Sequence, residues 1–187
     1  MDAHKAIVTK RDTRAYTDQP IPDVVLQRIL QAGRMAGSSK NTQPVRLVVI
    51  RDREWLKEVA ECGKFSQPLL GAQAGIAVCG APDGSDFDAG RAAQNIMVAA
   101  WNQGIATCPT SVHDQPCIIE KLRLPQDEVG EVSGRKGWRV VVIIALGYPE
   151  PSVPMSMGRK RLPVEDYVMW EKWGGMEQGV RSKEQGG

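Results

Sequence analysis

The chain has 187 residues, 42% hydrophobic and 25% charged, a globular composition with enough apolar mass for a sizeable core. Lys and Arg number 24 against 22 Asp and Glu, so nothing in the overall charge points to nucleic acid or to an acidic membrane, and any working positive charge has to be local.

Residues 3–10 read as a short helix with Ala3, Ala6 and Ile7 on one face, and the prolines of TDQPIP break the chain after it. Asp23 is placed to cap a helix over about residues 23–36, in which Val24, Val25, Ile29, Leu30 and Ala32 recur near helical spacing and Gly33 and Gly37 loosen the end. VRLVVIRD (45–52) is a β-branched run and reads as a strand. Residues 53–61 pattern as an amphipathic helix with Trp55, Leu56 and Val59 inward.

AGIAVCGA (74–81) is apolar enough for a strand buried on both faces. Asp86 and Asp88 suit the start of the next helix, and residues 89–104 are apolar around most of the helix, which places it at the domain centre. IATCPTS (105–111) reads as a short strand entering a proline turn, and residues 115–124 as a helix. WRVVVIIALGYP (138–149) is the strongest strand signal in the chain. Beyond it, PSVPMSMGRKRLP has no means of folding alone, and VEDYVMWEKWG suits a terminal helix. Strands and helices mix without strict βαβ alternation, so the expected class is α+β, as one domain over residues 1–180 with 181–187 as a disordered tail.

The four cysteines lie apart, with no C-x-x-C pair of the kind zinc sites and redox dithiols use. Cys79 and Cys108 fall in apolar stretches and read as buried free thiols. The opening MDAHKAIVTKRD is charged throughout, unlike a secretory signal, and no apolar run reaches membrane-helix length. The expectation is a reduced, soluble, cytoplasmic protein. His4 and His113 read as surface or loop histidines.

Three polar clusters carry the chemistry. Lys10, Arg11 and Arg14 fall within five residues; they form either a solvated basic face or a cradle for phosphate or flavin, since arginine forks match phosphate oxygens. AGSSKNTQP (36–44) puts Ser38, Ser39, Asn41 and Gln43 on a helix-to-strand connection, which suits an ordinary turn as well as close approach to a polar ligand. Arg159, Lys160 and Arg161 lie in the tail, either as a charged linker or as a docked cluster that needs an anion.

Taken together, these segments resemble the nitroreductase family. KRDTRAY, from Lys10 to Tyr16, resembles its R-R-S-x-R-x-F/Y opening, and AGSSKNTQPV, from Ala36 to Val45, resembles its A-P-S-x-x-N-x-Q-P-W loop. FDAGRAAQNIMVAAWNQGIATC resembles its central helix and following strand, and ALGYP with RKRLPVED resembles its closing strand and K/R-x-R-x-P tail. Order and distances agree over roughly residues 5–173, with Asp12 where serine is usual, Gly37 where proline is usual and Val45 where tryptophan is common.

The resemblance implies an α+β fold with a central, mostly antiparallel sheet flanked by helices, in an intertwined homodimer holding FMN at the subunit interface. It assigns Lys10, Arg11, Asp12 and Arg14 to the first flavin segment and Ser38, Ser39 and Asn41 to a segment donated by the partner. Pro109, Thr110 and Ser111 fall at the turn facing the flavin ring, and Arg159 and Arg161 at the phosphate. Asp12 is expected to pair with an arginine or to bond to the flavin. Arg91 and Gln94 either reach the flavin pocket or belong to the helix surface.

The activity implied is FMN-dependent reduction of a small organic acceptor (nitroaromatic, quinone or enone-like), with NADH or NADPH as donor, by a ping-pong scheme. Lys10 is the electrostatic candidate, and no side-chain acid is expected to be essential. Alternatives on the same fold are a dehydrogenase, a dehalogenase, a flavin-fragmenting enzyme or a protein that only stores flavin.

Overall fold

A computed structural model describes residues 2–153 and 161–174. The chain forms two compact units, Met1–Ser156 and Met157–Gly187, and the domain expected over residues 1–180 spans both. In the first unit, β1 (Val45–Ile50), β2 (Ala74–Gly80), β3 (Ala106–Thr110) and β4 (Arg139–Gly147) make one sheet in the order β1-β2-β4-β3. Every neighbouring pair is antiparallel.

The strand period of two sorts the β-branched residues onto two cores. Ile76, Val78, Ile144 and Leu146 face one way, against α2 (Asp23–Arg34) and α5 (Asp86–Asn102). Ala77, Cys79, Ile143 and Ala145 face the other, against α3 (Arg53–Ala60), α4 (Gln67–Leu70) and α6 (Gln115–Leu122). Helices therefore cover both faces, which is the α+β arrangement the sequence predicts. A further helix, α1 (Ala3–Thr9), packs on α5 with only Ala6 buried.

Small residues let α5 lie close to its neighbours. Ala89, Ala92, Ala93 and Ala100 are buried with Ile96, and Gly33 of α2 meets that helix so tightly that a Cβ would come within 2.7 Å of Ile96 Cγ1. The start of α5 is capped by Ser85, whose Oγ accepts from the Phe87 N–H at 3.1 Å. Asp86 and Asp88 occupy the first turn instead, with Asp86 paired to Arg139.

Several local expectations are corrected. Pro22 precedes α2 where Asp23 was expected to cap it; Asp23 is the first helical residue and pairs with Arg51. Leu26 rather than Val24 faces the core, because the buried stripe runs through Leu26, Ile29 and Gly33. Ile7 and Trp55 lie at the surface. The one-turn helix α4 was not foreseen.

The reduced-thiol expectation fails at Cys62 and Cys117, which form a disulfide across 55 residues. Packing of α3 and α6 on the same sheet face brings their Cα atoms to 5.6 Å, a proximity that sequence spacing does not disclose. Cys79 and Cys108 are free and buried, as predicted. Among the described residues, no helix is long and apolar enough to cross a membrane. In the second unit a single helical turn, α7 (Val164–Tyr167), stands where a longer terminal helix was expected.

Candidate functional site

The chain leaving α1 is stitched onto the end of the sheet. Asp12 forms an isolated parallel bridge with Thr107 of β3, and the Thr13 N–H donates to the Thr107 carbonyl at 3.0 Å. Farther along, the Thr17 N–H donates to the Tyr148 carbonyl at 2.9 Å and the Glu150 N–H to Ala15 at 3.1 Å. Tyr16 lies over Gly147, where a Cβ would come within 2.7 Å of its own Cβ, so glycine is what lets the segment seat. The Tyr16 hydroxyl donates to the Thr13 carbonyl at 2.6 Å, and burial, with the Asp12 carboxylate nearby, pushes its phenol far above the usual value.

This stitching brings residues 10–14 beside residues 107–111. Lys10 has a side chain only 11% exposed; its ammonium pairs with Asp12 and lies 3.5 Å from the Met97 Sδ. The partner of Asp12 is thus Lys10, not an arginine. Arg11 turns back on α1, donating to the carbonyls of Val8 at 3.0 Å and Lys10 at 2.8 Å. Its guanidinium thereby serves the helix's open carbonyls.

Arg14 lines a hollow of about 320 Å³ together with Phe65, Gln67, Cys108, Pro109 and Ser111. Pro109 and Thr110, expected in a turn, are instead the last residues of β3, paired with Ile144 and Ile143. Thr110 spends its hydroxyl on the sheet, donating to the Ile143 carbonyl at 2.9 Å, so only its backbone remains for a ligand. Burial raises the Cys108 thiol and keeps it protonated. The Thr13 and Thr107 hydroxyls, both buried on this junction, have no hydrogen-bond partner among the described residues.

The serine-asparagine loop stands elsewhere. Ser39–Asn41 make a 3₁₀ turn with φ of 50° at Lys40 and 55° at Asn41, and the Ser38 Oγ accepts from the Gln43 N–H at 2.9 Å. The turn holds Ser39 and Asn41 at the surface. It leads into β1, on the sheet edge opposite β3. Ser38 lines a separate cavity of about 480 Å³ between α2, β1 and the first turns of α5. Within one chain, then, the two sets of predicted flavin residues do not share a cavity.

At Gly37, a usual proline position, a Cβ would come within 2.8 Å of the Arg91 guanidinium, the mobile end of an exposed side chain that can move aside, so this contact does not explain the glycine. Neither Arg91 nor Gln94 lines the 320 Å³ hollow. Arg161 precedes α7 in the second unit, while Arg159 lies outside the described residues.

Sequence reasoning missed Phe65, Gln67 and Cys108 as lining residues. For Phe65 and Gln67 the available signal was the segment FSQP, in which Pro68 sits in the first turn of α4.

The family model described as Nitroreductase family matches residues 7–79 and 69–148. The chain belongs to the nitroreductase family. An Archaeoglobus fulgidus relative of this nitroreductase-family chain, provisionally named NADH dehydrogenase/NAD(P)H nitroreductase, is 32% identical over 180 residues, 90% of this chain and 97% of that protein. A Bacillus subtilis relative named FMN reductase [NAD(P)H] is 29% identical over 188 residues, covering 86% of this chain and 70% of its own length. Among solved structures, one from Desulfovibrio desulfuricans, provisionally named a nitroreductase and solved in complex with FMN, shares the fold. It superposes with a TM-score of 0.76 at 24% identity, over 92% of this chain and 98% of its own.

Proposed function

We propose that the protein is an FMN-dependent oxidoreductase that takes hydride from NAD(P)H and reduces a small organic acceptor (nitroaromatic, quinone or enone-like) in alternating half-reactions. The observation that carries this reading is the junction at Thr107, which brings the Lys10–Arg14 segment to the end of β3 and sets Arg14 beside Pro109 and Ser111. Family membership, and the FMN reductase name of the B. subtilis relative, support it.

The donor set suits a flavin. Arg14, the end of β3 with Ser111 after it, and the Phe65 ring line a hollow whose size falls within the range of small-molecule sites. When bound, FMN would supply the two-electron chemistry, receiving hydride from the nicotinamide and passing it to the acceptor. Lys10 would place a half-buried positive charge where the reduced ring is electron-rich, with Arg14 as a second cation at the rim. The backbone N–H groups of Thr110 and Ser111 would donate to the ring's polar edge. Ser38, Ser39 and Asn41 would act from the partner subunit, and Arg159 and Arg161 at the phosphate.

A homodimer is part of the proposal. It is supported by the separation of Ser38–Asn41 from Lys10–Arg14 within one chain and by an apolar-lined hollow of about 660 Å³ that includes Ala3, Ile7, Ala32, Val98 and Ala99. The reading is tested by an absorbance spectrum of purified protein, then anaerobic addition of NADH or NADPH. A flavin band that bleaches with either donor is expected. A band that persists would point to a flavin store, and protein that neither carries nor takes up FMN would overturn the proposal.

A further inference from the structure

Two walls of the 320 Å³ hollow are joined by a bond that the proposed reaction does not use. Phe65 and Gln67 come from the chain after α3, and Ser111 from the chain after β3. Cys62 opens the first segment and Cys117, in the first turns of α6, closes the second; the disulfide between them ties both.

Other ties join the segments: they share the core on that sheet face, and polar contacts cross between them. The Cys62 carbonyl accepts from the N–H groups of His113 at 3.3 Å and Asp114 at 3.1 Å, and the Lys64 N–H donates to His113 Nδ1 at 3.4 Å. Phe65 meets His113 edge-on at 5.7 Å between ring centres. Lys121 reaches Glu58 at 3.6 Å and Glu61 at 3.5 Å, half-exposed pairs of the kind that contribute little. The segments also approach closely, since a Cβ on Gly63 would fall 2.6 Å from the Ser111 carbonyl oxygen. Their register is therefore tight, and the disulfide is the one covalent bond between them among the described residues.

We propose that Cys62–Cys117 is a thiol-exchange site for a dithiol reductant, and that its redox state sets how firmly the Phe65 wall of the hollow is held. The functional consequence rests on the flavin-site reading above. Cys117 is half-buried whereas Cys62 is 2% exposed, so the incoming thiolate attacks the Cys117 Sγ. The S–S bond breaks, and its electron pair leaves on Cys62, which takes up a proton. The reductant's second thiolate then displaces Cys117, which is protonated in turn. Two electrons and two protons enter the protein, and the dithiol becomes a disulfide. A solvent-facing hollow of about 760 Å³, lined by Glu61, Cys62, Lys64, His113 and Asp114, lies on the Cys62 side of the bond.

The test uses FMN-loaded full-length protein before and after dithiothreitol, with the reductant removed by gel filtration under argon. Iodoacetamide trapping and mass spectrometry count the thiols, and amide hydrogen exchange follows the segments around residues 62–67 and 111–117. KM and kcat are measured with nitrofurazone as acceptor. Expected are blocked Cys62 and Cys117 that become alkylatable on reduction, exchange in both segments faster by on the order of tenfold, and a severalfold higher KM with a smaller change in kcat. Cys117→Ser should behave as the reduced protein and ignore dithiothreitol. Alkylation of both cysteines before reduction, or exchange that reduction leaves unchanged, would overturn the proposal; faster exchange with an unchanged KM would overturn its link to the hollow. Absence of turnover in both states would sink the flavin-site reading, while exchange would still decide whether the bond holds the wall.

Discussion

Asp12 stands where the family's opening motif carries serine, and its carboxylate takes the Lys10 ammonium as a partner. That pairing draws positive charge away from whatever anion the hollow binds. Asp12→Ser keeps a small polar group and frees the ammonium. If Lys10 serves the flavin, FMN should bind more tightly by about threefold to tenfold, the size of one released charge contact near a surface. Titration of FMN fluorescence measures this; weaker binding would instead mean that the carboxylate itself holds the flavin or positions Lys10. At this scale the sequence showed which residue types cluster, because the basic opening and the serine-asparagine loop are continuous in the chain. It did not show who pairs with whom. Arg11 is drawn to the carbonyls of Val8 and Lys10, and the Thr110 hydroxyl to Ile143, through competition that only the folded backbone sets up.

Between elements, α2 crosses α5 closely at Gly33. A methyl group there would lie 2.7 Å from Ile96 Cγ1, 2.9 Å from Ile96 Cδ1 and 3.3 Å from Leu47 Cδ1, all in packed core. Alanine favours helix over glycine by about 1 kcal/mol, but overpacking a filled core costs about 1–3 kcal/mol, so Gly33→Ala should lower the urea midpoint. A raised midpoint would mean that Ile96 can turn away and that this crossing is looser than it looks. The four strands were legible because β-branched runs declare themselves, and α5 because alanine and other apolar residues cover most of its circumference. The single turn of α4 was not, since four residues carry no helical period, and that omission hid Phe65 and Gln67 from the predicted site. The phase of α2 was misread for a related reason: Val24 and Leu26 are equally apolar, and only the packing on α5 decides which is buried.

Across the whole molecule, the order β1-β2-β4-β3 puts β1 and β3 on opposite edges, separated by three strand spacings or about 14 Å. The loop bearing Ser38, Ser39 and Asn41 enters the first edge strand, and Pro109–Ser111 lie where the chain leaves the other. On the proposed reading one chain alone holds two half-sites, which a two-fold dimer would join, each half to its complement. Hybrid complementation tests this directly. Lys10→Glu reverses the charge on one half, and Ser39→Glu adds an anion to an exposed turn on the other, so each variant alone should lose flavin binding and NAD(P)H oxidation. Unfolding and refolding the two variants together gives mixed dimers in which one site carries both changes and the other carries neither. Random pairing makes about half the dimers mixed, so about a quarter of wild-type activity should return. Recovery of flavin binding in parallel would place the two segments on opposite subunits of one site. If the mixture stays as inactive as its parents while wild type refolds fully, both segments serve the same chain's site or only one of them serves flavin at all.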